Sequence, residues 1–162
     1  MRKKQTVSRH FFIVSFKIYT MATEQQFNAF LTTINDAEEK ANNFLSKINT
    51  CISTGRGLMS DGNAIVASFK ELQLARQRQE NELTRMLANI DDRRDRFNKM
   101  RPFIEDNLKR RMNQIEQTKQ NLLNILLNGE NDKEVHAVNT VLKMLEMEHS
   151  KYFAELDRLL YL

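Results

Sequence analysis

The feature that most constrains the fold is the stretch of residues 63–128, which contains no glycine and one proline. Apolar residues such as Ile65, Phe69 and Leu72 recur in it at steps of three and four, the spacing of one face of an α-helix. The chain has only 4 glycines in 162 residues, too few for the many turns of a sandwich, a barrel or an α/β fold. The sequence therefore predicts an all-α protein.

The rest of the chain continues this spacing. An apolar stripe runs from Phe27 to Ile52, and another from Val135 to Leu159. Three glycines within 55–62 indicate one turn and Gly129 indicates a second, because glycine commonly ends helices. We expect helices over about 24–52, 63–101, 103–128 and 132–161, in a single domain of residues 21–162.

The two turns predict antiparallel helical hairpins that share one long central helix. Pro102 is the strong interruption in that helix, and a kink is expected there because proline removes a backbone hydrogen bond. The sequence predicts an elongated, coiled-coil-like bundle with Pro102 as its hinge. The alternative is a closed four-helix bundle, formed if the bend at Pro102 is sharp. An elongated rod would leave apolar stripe exposed, which predicts a homo-oligomer.

Polar residues occupy several positions where the apolar stripe predicts a buried side chain. Such residues lower stability but fix the register and number of packed helices. We name them the seam and treat them as the candidate interaction residues: Arg76, Gln79, Arg93 and His149.

The positive charge of the chain lies at its N-terminus. Five of the 25 basic residues and no acidic residue are in residues 1–20, so residues 21–162 hold 20 bases and 21 acids. We interpret 1–20 as a basic leader that is disordered or results from an upstream start site, with Met21 as the true start. A loosely docked arm and a targeting or membrane-surface segment remain alternatives. The apolar run 11–19 is too short to span a bilayer.

Motifs of catalysis and metal binding are weak in this sequence. Glu146-x-x-His149 has the spacing of di-metal bundle proteins, but no second such pair exists. The lone Cys51 falls on an apolar stripe, which is typical of a core residue. Residues 91–111 hold eight bases and five interleaved acids, typical of a salt-bridged helix face rather than a nucleic-acid site. We expect no enzyme activity, no catalytic residue, no cofactor and no metal.

These observations favour a non-enzymatic helical scaffold or adaptor that acts through protein–protein interaction and self-association in the cytoplasm. Its expected partners are further copies of itself and an unidentified protein. Nucleic acid is not expected as a partner, nor is a membrane unless residues 1–20 are genuine. The alternative function is a membrane-surface or nucleic-acid binder that uses the basic N-terminal segment.

Overall fold

The computed structural model describes the backbone of residues 4–88, 94–128 and 131–160, and the side chains of residues 24–88, 94, 97–128 and 131–158. It contains four helices: α1 (Lys4–Thr54), α2 (Gly62–Leu87), α3 (Arg94–Asn128) and α4 (Asp132–Leu160). The all-α prediction is confirmed. Helix α1 starts well before the expected residue 24, but the side chains of the leader lie outside the described residues. Whether residues 1–20 are a disordered leader or a start-site artefact stays a prediction.

The turn between α1 and α2 follows the glycines that predicted it. Gly55 and Gly57 have φ values of 63° and 73°, a left-handed conformation that costs other residues free energy because of their Cβ atom. Asp61 stands at the N-cap of α2 but makes no side-chain capping bond. Its carboxylate instead accepts a hydrogen bond from the Cys51 thiol at 3.4 Å, which ties the end of α1 to the start of α2.

The four helices form a bundle in which the two hairpins pack against each other. Helix α1 contacts both α2 and α3, and α3 contacts α4, while ion pairs join α2 to α4. Contacts between α1 and α3 rise together in residue number, from Glu38 with Asn107 to Asn42 with Arg111. Helices α1 and α3 are therefore parallel, as are α2 and α4.

One apolar core holds the bundle together. Most of its buried residues lie on the predicted stripes of the four helices, whereas Leu58 in the first turn and Val141 on α4 lie off them. Phe44 of α1 meets Phe69 of α2 with ring centroids 5.3 Å apart. Burial of such side chains removes apolar surface from water and is the main stabilising contribution to folding. The largest of its fully buried apolar side chains are Phe30, Phe44, Ile48, Ile65, Leu72, Leu83, Met86, Ile115, Leu122 and Leu145.

The predicted long central helix over 63–128 is wrong, because α2 ends at Leu87 and α3 begins at Arg94. Helices α2 and α3 run in opposite directions, since α1 is antiparallel to α2 and parallel to α3. Pro102 lies inside α3, so the reversal is not at this residue. Pro102 is itself exposed, as is Asn98, whose carbonyl would lose its helical partner. A smaller bend at Pro102 stays a prediction.

The turn between α1 and α2 is also held by Glu134 from the first turn of α4. The Leu58 amide donates a hydrogen bond to Glu134 Oε1 at 2.7 Å. A Cβ on Gly57 would lie 3.0 Å from Glu134 Oε2, whereas a Cβ on Gly55 would meet no atom within 4 Å. Gly57 therefore serves both the positive φ and the close approach of the carboxylate.

We expect Gly57→Ala to lower the free energy of unfolding by about 2 kcal/mol, because it combines a left-handed alanine with displacement of Glu134. Gly55→Ala is the matched control, with a similar φ but open space, and should cost about 1 kcal/mol. Urea denaturation measures both. Equal losses for the two variants would show that the contact with Glu134 contributes nothing.

Candidate functional site

The most unusual feature of the bundle is a buried charged group between α2 and α4. Arg76 is only 3% exposed, and its Nε lies 3.2 Å from Glu148 Oε1 while its Nη1 lies 3.0 Å from Glu155 Oε2. Gln79 Nε2 donates to the same Glu155 oxygen at 3.0 Å. The guanidinium carbon of Arg76 is 3.8 Å from the centroid of the Tyr152 ring, a cation–π contact. We call these five residues the central charged layer.

Burial dominates the electrostatics of this layer. It raises the pKa of Glu148 above the ordinary value, against the opposing charge of Arg76. Burial likewise raises the pKa of Glu155, although Arg76 opposes this through its charge and its hydrogen bond. The pKa of Tyr152 is raised by burial as well. One guanidinium is thus shared by two carboxylates that are each costly to ionise.

A second polar cluster joins α1 to α3. Arg111 of α3 is buried, and its Nη2 lies 2.5 Å from Glu38 Oε1 of α1. Asn107 and Arg110 donate to Glu38 at 2.8 and 2.9 Å, and Arg111 Nη1 donates to Asn42. Burial opposes ionisation of Glu38, but the hydrogen bond from Asn107 and the charge of Arg111 outweigh it and lower its pKa. We call this set the α1–α3 cluster.

The central charged layer and the α1–α3 cluster face a common cavity among the four helices. It is lined by Arg76, Gln79 and Tyr152 on one side and by Glu38 and Asn107 on the other, and its volume is about 10 Å³. That volume leaves no room for a ligand larger than a water molecule. Toward this cavity the buried polar groups leave no space for a substrate; they join the two hairpins across the bundle.

Two open grooves run along the outside of the bundle, one between each pair of parallel helices. The groove between α2 and α4 has a volume of about 640 Å³ and is bordered by basic and apolar side chains, among them Lys70, Leu74 and Lys151. The groove between α1 and α3 has about 690 Å³ and is lined by amides and hydroxyls such as Asn49 and Gln117. Both volumes are in the range of ligand pockets.

The structure separates the residues of the predicted seam. Arg76 and Gln79 come together in the central charged layer, where their partners belong to the same chain. His149 is half-buried on α4, and its charge contributes to lowering the pKa of Glu116 on α3. Arg93 lies outside the described residues. Arg76 and Gln79 are each only 3% exposed inside one bundle, and the intermolecular role predicted for the seam stays a prediction.

The structure also shows the surroundings of the other candidate residues from the sequence: the predicted metal-ligand pair, the cysteine and the basic run. Glu146 is exposed, and within the described residues no group of three or more His, Cys, Asp or Glu could hold a metal ion. Cys51 is buried, and burial together with Asp61 raises the pKa of its thiol, which disfavours the reactive thiolate. The three basic residues 109–111 already form ion pairs within the chain: Lys109 pairs with Glu105, and Arg110 and Arg111 both pair with Glu38.

Sequence reasoning missed Glu148, Glu155 and Arg111 as core residues. A strict alternation of three and four steps from Val138 through Val141 and Leu145 arrives at Glu148, Tyr152 and Glu155. That periodicity is the signal that could have found the two carboxylates. A stripe that continues through His149 instead is displaced by one position from this register.

We expect Glu148→Gln to raise the free energy of unfolding at neutral pH by about 1 kcal/mol, because it removes a costly buried charge while Glu155 still pairs with Arg76. A raised pKa means that folding favours the protonated acid, so wild-type stability falls as the pH rises through the folded-state pKa. The advantage of the variant should therefore be largest at neutral pH and shrink toward the ordinary value of 4.5.

Urea denaturation of both proteins from neutral to acid pH measures this difference. Glu116→Gln is the control with the opposite sign, because hydrogen bonding from Gln120 and the charge of Lys119 lower the pKa of that exposed carboxyl. It should lose stability at neutral pH relative to the wild type and approach it in acid. A difference for Glu148→Gln that does not change with pH would contradict the assigned burial of this carboxylate.

The described arrangement can hold helices together and offer surfaces between them. Its most buried charged groups bind one another, and the two grooves are places where another molecule can contact the bundle. Within the described residues, no helix has the length and apolar character that crossing a membrane requires. Comparison with models of known protein families, with curated proteins and with solved structures found no match.

Proposed function

We propose that the protein is a non-enzymatic helical scaffold or adaptor that acts through protein–protein interaction and self-association. The observation that carries this proposal is the number of large apolar side chains left on the outside of the bundle. Six described side chains of this kind are at least half exposed: Met59, Leu74, Phe103, Leu127, Met147 and Phe153. Large exposed apolar side chains favour association when they lie within a continuous contact surface.

The polar interior supports a binding role for the outer faces. The carboxylates of the central charged layer and of the α1–α3 cluster are paired with arginines inside the bundle, so an incoming molecule contacts the outer helix faces. The exposed aromatic residues lie on different helices, Phe103 on α3 and Phe153 on α4. Phenylalanine at the centre of an interface buries a large apolar area on association.

In this bundle, self-association would use the exposed apolar side chains and not the apolar stripe that an open rod would leave exposed. Because the hairpins pack against each other, each covers apolar stripe that the rod would have exposed. A homo-oligomer would therefore use exposed residues such as Leu127, which is 82% exposed. The proposed compartment is the cytoplasm, which fits the free and buried thiol of Cys51.

The alternative proposal is binding to a membrane surface or to nucleic acid through residues 1–20. The observation in its favour is the five basic residues and no acidic residue in that segment. Deletion of residues 1–20 should then abolish binding to anionic vesicles or to DNA at low salt. Equal binding by the deleted and full chains would reject this alternative.

Sedimentation velocity of the full chain over a range of micromolar concentrations tests the favoured proposal. We expect the weight-average mass to rise above that of one chain, and Phe103→Ser with Phe153→Ser to return it to the monomer. Lys143→Ser, a change at another exposed position on α4, is the control and should leave the association intact. A monomer at every concentration would contradict self-association.

A further inference from the structure

We propose that the groove between α2 and α4 binds an acidic amphipathic helix of a partner protein. This inference rests on the proposed adaptor function and names the chemistry of its partner. The groove is open along α2 from Lys70 to Glu80 and along α4 from Lys151 to Arg158. At a rise of about 1.5 Å per residue, the α2 border is about 15 Å long, or nearly three helical turns.

Apolar side chains provide the contact area along this groove. Leu74 and Ala154 border it, and Leu74 is 57% exposed. Met147, which is 50% exposed, precedes Lys151 by four residues and Ala154 by seven, so it lies on the same face of α4. A helix that lays apolar residues on Leu74 and Met147 would remove both from water, which is the usual way in which amphipathic helices bind grooves.

The charges along the groove determine the partner's sign. Four bases and two acids line it, and Arg76 and Glu155 among them are already bound to each other in the central charged layer. The other charged residues of the groove are three bases, Lys70, Lys151 and Arg158, and one acid, Glu80. Lys70 and Lys151 form no salt bridge with any described residue, and Arg158 donates to the Thr84 hydroxyl at 3.1 Å. The charges of Lys151 and Arg158 also act to lower the pKa of Glu148 and of Glu155, respectively. The groove therefore complements a partner with carboxylates.

The groove between α1 and α3 differs from the groove between α2 and α4 in its charge. Its lining between α1 and α3 holds no charged residue and is formed by Asn, Gln, Ser and Thr side chains with Leu45 and Ile52. It offers no long-range attraction for an acidic segment. The same bundle thus contains an uncharged groove of similar size, which serves as an internal reference for binding.

Fluorescence anisotropy with synthetic peptides tests the proposal on the full chain. The probe is a labelled four-turn amphipathic helix of Leu, Ala and Glu, with leucines at steps of three and four and glutamates beside them. A matched peptide carries Lys in place of every Glu. We expect the Glu peptide to bind, its affinity to fall as salt is added, and the Lys peptide to bind at least about 10-fold more weakly.

Charge reversal of the groove locates the binding. Lys70→Glu with Lys151→Glu should weaken the Glu peptide by about 10-fold or more and should improve binding of the Lys peptide. The control, Lys133→Glu with Lys143→Glu, makes the same change in net charge at exposed positions of α4 outside the groove. Amide hydrogen exchange should show protection of 70–80 and 147–158 and leave 42–53 unchanged.

The outcomes separate this inference from the function on which it rests. Equal binding of the two peptides, no binding of the Glu peptide at low salt, or protection of 42–53 instead would overturn the groove assignment. If sedimentation still shows association in that case, the adaptor proposal stands without this groove. A monomer that binds neither peptide contradicts both proposals.

Discussion

Replacing Arg76 with leucine is expected to lower the free energy of unfolding by about 3–5 kcal/mol. The change leaves Glu148 and Glu155 without the guanidinium that each contacts, and Glu148 is only 1% exposed. A buried carboxylate that loses its counter-charge must be protonated or hydrated, and both cost free energy. Urea denaturation followed by circular dichroism measures the loss.

Further variants show that the loss comes from unpaired charge. Adding Glu148→Leu and Glu155→Leu to Arg76→Leu should recover most of the stability, because a fully apolar layer leaves no orphaned charge. Arg78→Leu is the control on the same helix: this side chain is 71% exposed and lies 3.8 Å from Asp36, so the change should cost less than about 1 kcal/mol. An Arg76→Leu loss no larger than that of Arg78→Leu would contradict the buried layer.

The second large effect is expected at Phe44, which should cost about 3–5 kcal/mol when changed to alanine. Phe44 is 1% exposed on α1 and packs against Phe69 of α2, so truncation leaves a cavity between the two helices of the first hairpin. The surrounding core residues come from elements that cannot all move to fill it. Urea denaturation measures the loss, and thermal unfolding should rank the variants in the same order.

Phe153→Ala is the matched control for this prediction. Its ring is 60% exposed on α4, so in the monomer the same chemical change should alter the free energy of unfolding by less than about 1 kcal/mol. Comparable losses at Phe44 and Phe153 would mean that α1 does not pack through the face assigned to it.

Much of the helical architecture could be predicted because apolar spacing and glycine placement agree. The stripes of α1 and α2 coincide with the buried faces, and even the polar exceptions Arg76 and Gln79 lie at the core positions that the spacing indicates. Gly55 takes the positive φ predicted for a helix end. Local sequence rules suffice here because each residue's environment depends mainly on its own helix face.

The point where the chain reverses could not be predicted by the same reasoning. The only proline of the chain suggested a hinge at residue 102, yet α3 runs through Pro102. The interval between Leu87 and Arg94 contains Asn89, Asp91 and Asp92, residue types that favour turns. Without a glycine these residues also suit a salt-bridged helix surface, so the local sequence alone does not predict that α2 and α3 run in opposite directions.

The candidate site escaped prediction because its members come from different hairpins. Arg76 is a visible polar exception in an apolar stripe, but its partners are 72 and 79 residues away on α4. Glu148 directly precedes His149 in the sequence. If the buried stripe of α4 is placed one residue too far along, His149 is predicted to be buried in place of Glu148. The charged groove on α2 and α4 likewise exists only once the two helices lie parallel.

The central claim is that the two hairpins close on each other, with α2 beside α4. The most direct measurement is cross-linking of Gln77→Cys with Ala154→Cys, which border the same groove on α2 and α4, in a Cys51→Ala background. A bis-maleimide about 10 Å long, the spacing of packed helices, should link them within one chain, giving a faster-migrating monomer band in denaturing electrophoresis. Gln77→Cys with Asn124→Cys on α3 should stay unlinked. An extended rod, with α2 and α4 at opposite ends, predicts no intramolecular product, and that result would contradict the closed bundle.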